Sequence, residues 1–283
     1  MMKQQFSNPV NILVSYAYWC KELEEAFKRT PNLCLLIDSG AYTAYKLGKV
    51  FTVDEYCSFI DHLPVKPYGY FSLDVIGNPK ETMNNYLYMI KRGYNPIPIF
   101  TRGASENDFK TYSETSDYIG IGGLVGTPKP LNFVEYLYRN LIKKERIHLL
   151  GLSSINTLLR YKPHSCDTSM MQLAIKFGGL RLYTGKGTFE KLSIQDIKVK
   201  RPNKNIINGL QDYLDDWKVL KDVNNWVKGN SVKYPIYVSH RSFFRYMFEV
   251  EEKMKTKVFA AVVHNNKNVL VDSVYQELIY ANS

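Results

Sequence analysis

Cysteine is scarce and scattered in this chain of 283 residues. The four cysteines stand at positions 20, 34, 57 and 166, and no two of them form a CxxC or CxC pair. That spacing argues against a zinc knuckle or ribbon, so we predict no structural metal and four free thiols. The five histidines also lack metal-ligand spacing. We predict structural roles for His148 and His164, which lie near predicted strand starts.

Long apolar runs are missing as well. No stretch approaches the roughly 18 consecutive apolar residues that a membrane helix requires, and the mean hydropathy is −0.28. The first twenty residues hold a single lysine and a proline before a short apolar stretch, which is a poor signal peptide. We therefore expect a cytoplasmic protein with no membrane partner.

Several common catalytic motifs are absent. The chain contains no GxxxxGK[ST] phosphate-binding loop, no GxSxG nucleophile elbow and no HExxH zinc-protease motif. These absences remove the simplest sequence evidence for a P-loop nucleotide hydrolase, an α/β hydrolase or a zincin protease.

Acidic residues are outnumbered by basic ones. The chain has 37 Lys and Arg against 27 Asp and Glu, a formal net charge of +10. A positive charge favours a polyanionic partner, with nucleic acid first and an anionic membrane second. The stretch 176–204 concentrates this charge, with eight basic residues and two acidic ones. It is either a solvated face or a surface that contacts phosphates.

Short apolar runs alternate with amphipathic stretches over about the first 185 residues. Such runs are typical of strands buried on both faces, and their alternation with helices predicts a parallel sheet with crossover helices. The predicted strands are 11–16, 33–39, 70–75, 96–100, 118–123, 147–151, 165–169 and 180–184. The predicted helices are 53–63, 80–92, 131–144 and 155–161. Eight strands favour an α/β fold of the TIM-like (β/α)8 barrel type, and a doubly wound open sheet is the alternative.

The pattern changes after residue 202. Residues 206–227 carry apolar side chains at helical spacing, residues 240–255 and 269–280 are also predicted helices, and 258–263 is a strand or buried run. We predict two parts: a catalytic (β/α)8 barrel over 1–200 and a mainly helical extension over 201–283 that packs on it.

Three predicted strands run directly into an aspartate, at Asp38, Asp74 and Asp167. Two others end in the glycine-containing segments GIGGLVG (120–126) and LLGL (149–152). Because the carboxyl ends of parallel strands form the mouth of a barrel, we expect these five ends to meet. The alternative is that each aspartate caps the helix or turn that follows it. Converging carboxylates can supply a nucleophile and a proton shuttle for displacement at an acetal-like carbon.

These motifs together resemble the tRNA-guanine transglycosylase superfamily. LIDSGAY (36–42) is similar to the family's DSGG[FY]Q signature, and GIGGLVG is similar to its GGLAVG. LLGL and SCDTS (165–169) stand where the family has a [ML]G[VI]G segment and the segment around its nucleophile. Order and approximate spacing agree from about residue 33 to 170. The resemblance implies a (β/α)8 barrel that exchanges guanine for a 7-deazaguanine base through a covalent nucleoside–enzyme ester.

The resemblance also implies a role for each matching residue. Asp167 would attack the sugar C1′, Asp38 would be the general acid and base, and Asp74 would bind the guanine-like edge. Tyr42 and Leu150 would sandwich the base. The other expected base-binding residues are Ser39, Gly40, Gly122, Gly123, Leu124 and Gly151. No cofactor is expected.

Three features depart from the family pattern. Tyr42 is followed by threonine instead of glutamine, the CxCxxC zinc subdomain is missing, and the chain is shorter than typical tRNA enzymes. The combination resembles the phage and bacterial branch that inserts 7-deazaguanines into DNA, and a phage enzyme would act in the host cytoplasm. We expect DNA and a free preQ0-like base as partners. The residues expected to contact the DNA backbone are Lys198, Lys200, Arg201 and Lys204.

Other functions stay open on the sequence alone. The same motifs fit a tRNA-guanine transglycosylase or a base-excising glycosylase on the same scaffold. A catalytically silent barrel that binds nucleic acid as an accessory subunit is a further alternative, from a different functional class.

Overall fold

A computed structural model describes residues 9–30, 33–170, 179–185, 187–193 and 233–262 of the chain. Eight parallel strands form one curled sheet, which confirms the α/β class and the parallel connection of strands. In spatial order the strands are β3 (Gly69–Tyr70), β2 (Leu33–Asp38), β1 (Val10–Ser15), β10 (Lys257–Ala261), β7 (Ser165–Thr168), β6 (Arg146–Leu149), β5 (Tyr118–Ile121) and β4 (Ile99–Phe100).

Helices flank this sheet and connect most of its neighbouring strands. They are α1 (Lys21–Arg29), α2 (Ala41–Leu47), α3 (Val53–Asp61), α4 (Pro79–Lys91), α5 (Glu106–Thr115), α6 (Pro130–Asn140), α7 (Ile155–Tyr161) and α8 (Lys233–Met254). The predicted helices 53–63, 80–92, 131–144 and 155–161 correspond to α3, α4, α6 and α7, and 240–255 lies largely within α8. Helices α1, α2 and α5 were not predicted.

Local sequence signals explain where the predicted helices begin. Thr52 and Glu55 form a reciprocal capping box at the start of α3, which satisfies two N–H groups that the helix leaves unpaired. The Asn78 side chain accepts a hydrogen bond from Glu81 N, with Pro79 in the first helical position of α4. Gly93 follows this helix with a φ of +87°, a conformation that favours glycine at a helix end.

The eighth strand of the sheet is not the predicted one. Residues 180–184 fall in β8 (Gly179–Gly185), which pairs antiparallel with β9 (Thr188–Ser193) outside the parallel sheet. Gly185 and Gly187 both have positive φ and allow the tight reversal of a hairpin. The eighth parallel strand is β10, which lies between β7 and β1. Its run KVFAA is nearly all apolar, as expected of a strand buried on both faces.

The position of β10 also corrects the predicted division of the chain. The boundary at residue 200 assigns this strand to a helical extension, whereas the structure places it inside the sheet of residues 10–168. The β8–β9 hairpin contacts α8 instead. Tyr183 fixes this contact, because its backbone N–H donates to Ser242 Oγ at 2.5 Å and its hydroxyl donates to Glu249 Oε2 at 2.6 Å.

Two apolar cores lie on the two faces of the sheet. The convex face packs against the helices, with side chains such as Ile12, Ile37 and Leu149 in one large cluster. The concave face holds a smaller set, called here the interior cluster: Leu13, Leu36, Phe71, Ile97, Ile99, Tyr118 and Phe259. The two sets alternate along each strand because successive side chains point to opposite faces.

The two end strands of the sheet order approach one another. A parallel bridge pairs Phe71, just after β3, with Ile97, just before β4. Ile97 N–H donates to Tyr70 O at 2.8 Å, and Ser72 N–H donates to Ile97 O at 2.9 Å. A short parallel ladder therefore joins the segments next to the first and last strands of the sheet.

Several predictions lie outside the described residues. These are the helices 206–227 and 269–280 and the four basic residues Lys198, Lys200, Arg201 and Lys204. All four cysteines are described and are free thiols, as predicted. Among the described helices, none is both long enough and apolar enough to cross a bilayer.

Candidate active site

Two of the three aspartates share the concave face of the sheet at the carboxyl ends of their strands. Asp38 is the last residue of β2 and stands two positions after Leu36 of the interior cluster. Asp167 lies near the end of β7, and Phe259 of the interior cluster is its register partner on β10. Asp74 follows β3, which is adjacent to β2. The predicted convergence of strand ends therefore holds for these carboxylates in the described structure.

The charges of the aspartates act on one another. Burial, together with the negative charges of Asp74 and Asp167, raises the pKa of Asp38 to about 7, while the hydrogen bond from Gly40 N–H opposes the rise. Like charges close together disfavour ionisation of one of them. Asp38 is thus a carboxyl group that can both give and take a proton near neutral pH.

Asp74 is held by the residue next to Asp38. Ser39 Oγ donates to Asp74 Oδ1 at 2.5 Å and accepts from Ala41 N–H at 3.2 Å. Burial raises the pKa of Asp74, and the Ser39 hydrogen bond partly offsets this rise. The remaining acceptor positions of a carboxylate suit a ligand that presents N–H groups.

Asp167 is anchored through a single oxygen. Its Oδ1 accepts from Gly151 N–H at 2.7 Å and lies 3.2 Å from His148 Nε2. The side chain of Asp167 is 14% exposed, and that of His148 is fully buried. Gly151 has a φ of +68°, a backbone conformation that glycine adopts easily and that presents this N–H to the carboxylate.

His148 belongs to a polar chain that the sequence motifs do not predict as part of the site. Its Nδ1 lies 2.6 Å from Ser165 Oγ, which in turn lies 2.5 Å from the hydroxyl of Tyr118. His148 is the third residue of β6, and Ser165 is its register partner on β7. Strand alternation carries the signal, because Ser165 and Asp167 are two residues apart and share one face.

The other predicted base-binding residues have varied surroundings. Gly40 has a φ of +81° and donates its N–H to Asp38 Oδ2 at 3.0 Å. A Cβ on Gly122 would lie 2.8 Å from Ile99 Cγ2, so this glycine allows close packing of β4 and β5.

Gly123 is exposed with a φ of +66°. The side chain of Leu124 is buried in the core, and its carbonyl accepts from Thr127 Oγ1 at 3.1 Å.

Tyr42 and Leu150 have different exposures. Tyr42 is 51% exposed on α2, and the Lys46 ammonium lies 4.5 Å from its ring centre. Leu150 is half-buried and packs against the interior cluster. Their predicted sandwich of a flat base stays a prediction.

The capping alternative for the aspartates finds little support in the described elements. Helix α2 begins after Gly40 without a side-chain cap, and α4 is capped by Asn78. Asp38 does accept the Gly40 N–H, a local turn contact. Asp167 accepts from β6 and the loop after it, which are distant in sequence.

No group of three or more His, Cys, Asp or Glu side chains in the described ranges could hold a metal ion. The prediction that the protein has no structural metal stays a prediction.

A separate cavity of about 700 Å³ lies at the opposite end of the strands. Arg146 begins β6 and His164 precedes β7, so this is the amino-terminal edge of the sheet. The charged residues of its lining are Glu145, Arg146, Lys162, Lys253 and Lys255, and His164 also lines it. This cavity is basic and does not include the three aspartates.

Comparisons with family models, with curated proteins and with solved structures found no match to this chain. A carboxylate anchored through one oxygen, a second carboxyl group with a pKa near neutrality and a third acceptor beside them can perform a displacement with proton transfer.

Proposed function

We propose that this protein is a DNA-guanine transglycosylase, which exchanges guanine in DNA for a 7-deazaguanine base. The observation that carries the proposal is that Asp38, Asp74 and Asp167 lie at one edge of the sheet, close enough for the charges of Asp74 and Asp167 to raise the pKa of Asp38. The motif resemblance of residues 33–170 assigns each of them a distinct role. The closed (β/α)8 barrel that the resemblance implies is part of the same proposal, supported by the Phe71–Ile97 bridge.

In the first half-reaction, Asp167 attacks the deoxyribose C1′. A carboxylate oxygen forms the C1′–O bond while the C1′–N9 bond to guanine breaks, and the electron pair leaves with the base. The protonated carboxyl of Asp38 donates its proton to the departing guanine. Burial and the neighbouring carboxylates keep a substantial share of Asp38 protonated near neutral pH.

In the second half-reaction, the proton moves back to Asp38 and the C1′–O bond is broken. Asp38, now ionised, takes the proton from N9 of the incoming 7-deazaguanine. The nitrogen attacks C1′, the C1′–O bond breaks, and the Asp167 carboxylate is restored. A covalent ester divides one difficult exchange into two displacements at the same carbon.

Recognition of the base is assigned to Asp74. Guanine and 7-deazaguanines share a ring N–H and an exocyclic amino group, which are donors. Asp74 offers acceptors and is oriented by the Ser39 hydroxyl. A protein that hydrogen-bonds such donors rejects a base without them strongly, because its own buried acceptor would be left unpaired.

DNA is proposed as the polymer because the chain is basic and because the zinc subdomain of the tRNA enzymes has no counterpart in the sequence. A net charge of +10 favours a polyanion. A base inside a duplex must leave the stack before its C1′ is open to attack, which costs a few kcal/mol.

The experiment measures incorporation of radiolabelled guanine into duplex DNA, single-stranded DNA and tRNA by the purified full chain. We expect label in DNA and a denaturation-resistant protein–DNA adduct. Asp167→Ala should abolish exchange and adduct. Asp38→Asn should slow both half-reactions while leaving the shape of the side chain intact.

Each alternative has its own outcome in this assay. Label that enters only tRNA would contradict the choice of DNA. Release of base without exchange would identify a glycosylase, and binding without either reaction would identify an accessory subunit. Exchange by a well-folded Asp167→Ala variant would show that the nucleophile is assigned to the wrong residue.

A further inference from the structure

A buried chain of hydrogen bonds reaches Asp167 from the inside of the sheet. It runs from the Tyr118 hydroxyl through Ser165 Oγ to His148 Nδ1, and from His148 Nε2 to Asp167 Oδ1, over contacts of 2.5, 2.6 and 3.2 Å. Ser165 and His148 are fully buried, and Tyr118 is 5% exposed. The three residues lie on β5, β6 and β7, so neighbouring strands hold the chain in place.

The hydrogens in this chain can be assigned in order. Burial raises the pKa of Tyr118, so its hydroxyl keeps its proton. Either hydroxyl could donate in the Tyr118–Ser165 contact. If Ser165 donated, the hydrogen of Tyr118 would have no acceptor among the described residues, so we assign Tyr118 as the donor. The single Ser165 hydrogen is then donated to His148 Nδ1, which must be bare to accept it. The imidazole proton is therefore on Nε2, which faces the Asp167 carboxylate.

The two oxygens of Asp167 have different surroundings. Oδ1 has two N–H donors, from His148 and Gly151. In the described part of the chain, Oδ2 accepts no hydrogen bond from protein. One oxygen is therefore anchored, and the other has lone pairs free for a bond to carbon.

We propose that His148 is a positioning residue, a neutral imidazole that Tyr118 and Ser165 lock in the Nε2–H form so that it anchors Asp167 through Oδ1 and leaves Oδ2 to attack C1′. This inference rests on the proposed function of Asp167 as the nucleophile. A neutral donor orients the carboxylate without pairing it to a full positive charge.

The proposal accounts for a polar chain beside the apolar side chains of the interior cluster. A reacting atom displaced by about 1 Å can lower a rate by about 10²-fold. Oδ1 is held by two donors at the end of β6, the His148 side chain and the Gly151 backbone N–H. Two donors restrict both the rotation and the translation of the carboxylate. With Oδ1 fixed in this way, Oδ2 is the oxygen of Asp167 that is left to attack the substrate.

The first measurement is the tautomer of His148 in the full-length wild-type protein at neutral pH, from the ¹⁵N chemical shifts of the imidazole. We expect a neutral ring protonated on Nε2. A ring protonated on Nδ1, or on both nitrogens, would overturn the proposed locking.

The second measurement is the single-turnover rate of adduct formation with guanine-containing DNA. His148→Phe keeps a ring but removes both hydrogen bonds, and it should lower this rate by about 10²-fold with little change in DNA affinity. His148→Gln can present an N–H to Asp167 and a carbonyl to Ser165, and it should recover most of the rate. Tyr86→Phe is the matched control, because it removes a buried tyrosine hydroxyl that contacts Thr115 at 2.8 Å and is not part of the Tyr118–Ser165–His148 chain.

The outcomes separate this inference from the function on which it rests. Absence of exchange by the wild type would defeat the proposed function itself. Normal exchange by His148→Phe, with wild-type exchange intact, would defeat only the positioning role. If His148→Phe does not fold, Ser165→Ala is the deciding variant. It removes the hydrogen bond to His148 Nδ1 but keeps the imidazole ring, and it should still slow adduct formation. An unchanged rate would overturn the proposal.

Discussion

The hydroxyl of Ser39 lies 2.5 Å from Asp74 Oδ1 and joins the end of β2 to the loop that follows β3. Ser39 is fully buried and is the immediate neighbour of Asp38. One residue thus links the proposed proton shuttle to the proposed base-binding carboxylate, so a base bound by Asp74 is placed relative to Asp38.

We predict that Ser39→Ala weakens binding of the free base more than it slows turnover. The substitution leaves Asp74 without its hydroxyl donor, which raises the Asp74 pKa and costs about 1–3 kcal/mol of stability. The KM for the base, kcat and the melting temperature should be measured together. Ser105→Ala is the matched control, since it removes a serine cap on α5 without touching the site. An equal loss of stability in both variants with unchanged KM would show that Ser39 is structural only.

The pH dependence of the first half-reaction should follow Asp38. The acid form must donate a proton to guanine, and its pKa is raised to about 7. The single-turnover rate of adduct formation should therefore fall about tenfold per pH unit above that value. Asp38→Asn should lose this limb and react slowly at every pH. A wild-type profile that is flat from pH 6 to 9 would contradict the role of Asp38.

The stability of the protein should also change with pH through Asp38. The pKa of this carboxyl is raised to about 7 in the folded state from an ordinary value of 3.8, so between these values the folded state binds more protons than the unfolded state. The contribution of Asp38 to the stability of the folded state is therefore present in full below about pH 4 and is lost as pH rises toward about 7. The free energy of unfolding should fall by up to about 1.4 kcal/mol for each pH unit in this window. Chemical denaturation should find Asp38→Asn more stable than wild type at pH 8 and similar at pH 4. A stability difference that does not vary with pH would contradict the raised pKa.

The amides of Ile97 and Ser72 should exchange slowly with solvent if the barrel is closed. Both donate across the ladder between the segments next to β3 and β4. Hydrogen exchange of these amides should be compared with that of Val262 N–H, which donates to Leu13 O at 2.9 Å inside the sheet. Protection of the same order supports closure, because sheet amides open only with their cooperative unit. Fast exchange at Ile97 beside slow exchange at Val262 would indicate an open edge.

The salt dependence of DNA binding should report which basic surface contacts the phosphates. Replacing Lys198, Lys200, Arg201 and Lys204 with Gln should flatten the slope of log K against log salt by up to about 4. The free-base affinity should not change. The matched control replaces Lys143, Lys144, Lys162 and Lys255, which are exposed near the amino-terminal edge of the sheet. A slope altered only by the control set would move the DNA surface to that edge.

Short apolar runs predicted seven of the eight parallel strands, because strands buried on both faces leave a direct mark in the sequence. The eighth, β10, corresponds to the run 258–263, which the sequence predicts as a strand or buried run but places in the helical extension. Residues 180–184 and β10 are similar apolar runs, and only tertiary pairing decides which of them enters the sheet. Hairpin formation through Gly185 and Gly187 removed the first from the parallel sheet.

The meeting of the three aspartates could be predicted because each ends or follows a recognisable strand, and strand ends meet at one edge. The sequence predicts a structural role for His148 because it lies near a predicted strand start, and its contact with Asp167 was not predicted. Its contact with Asp167 depends on the register of β6 and β7, which the sequence does not reveal. The value of the Asp38 pKa also depends on burial and on charges brought together only by folding.

The place of β10 between β7 and β1 has a consequence for how the chain folds. Ile12 pairs with Ala260, near the opposite end of the chain, so this contact closes a very long loop. During synthesis, β1 and β7 expose unpaired edges until residue 261 has left the ribosome, and exposed edges invite pairing with other chains. Long-range pairing of this kind slows folding. The nascent protein should therefore depend on chaperones late in translation, and a stop codon before Lys257 should yield aggregates.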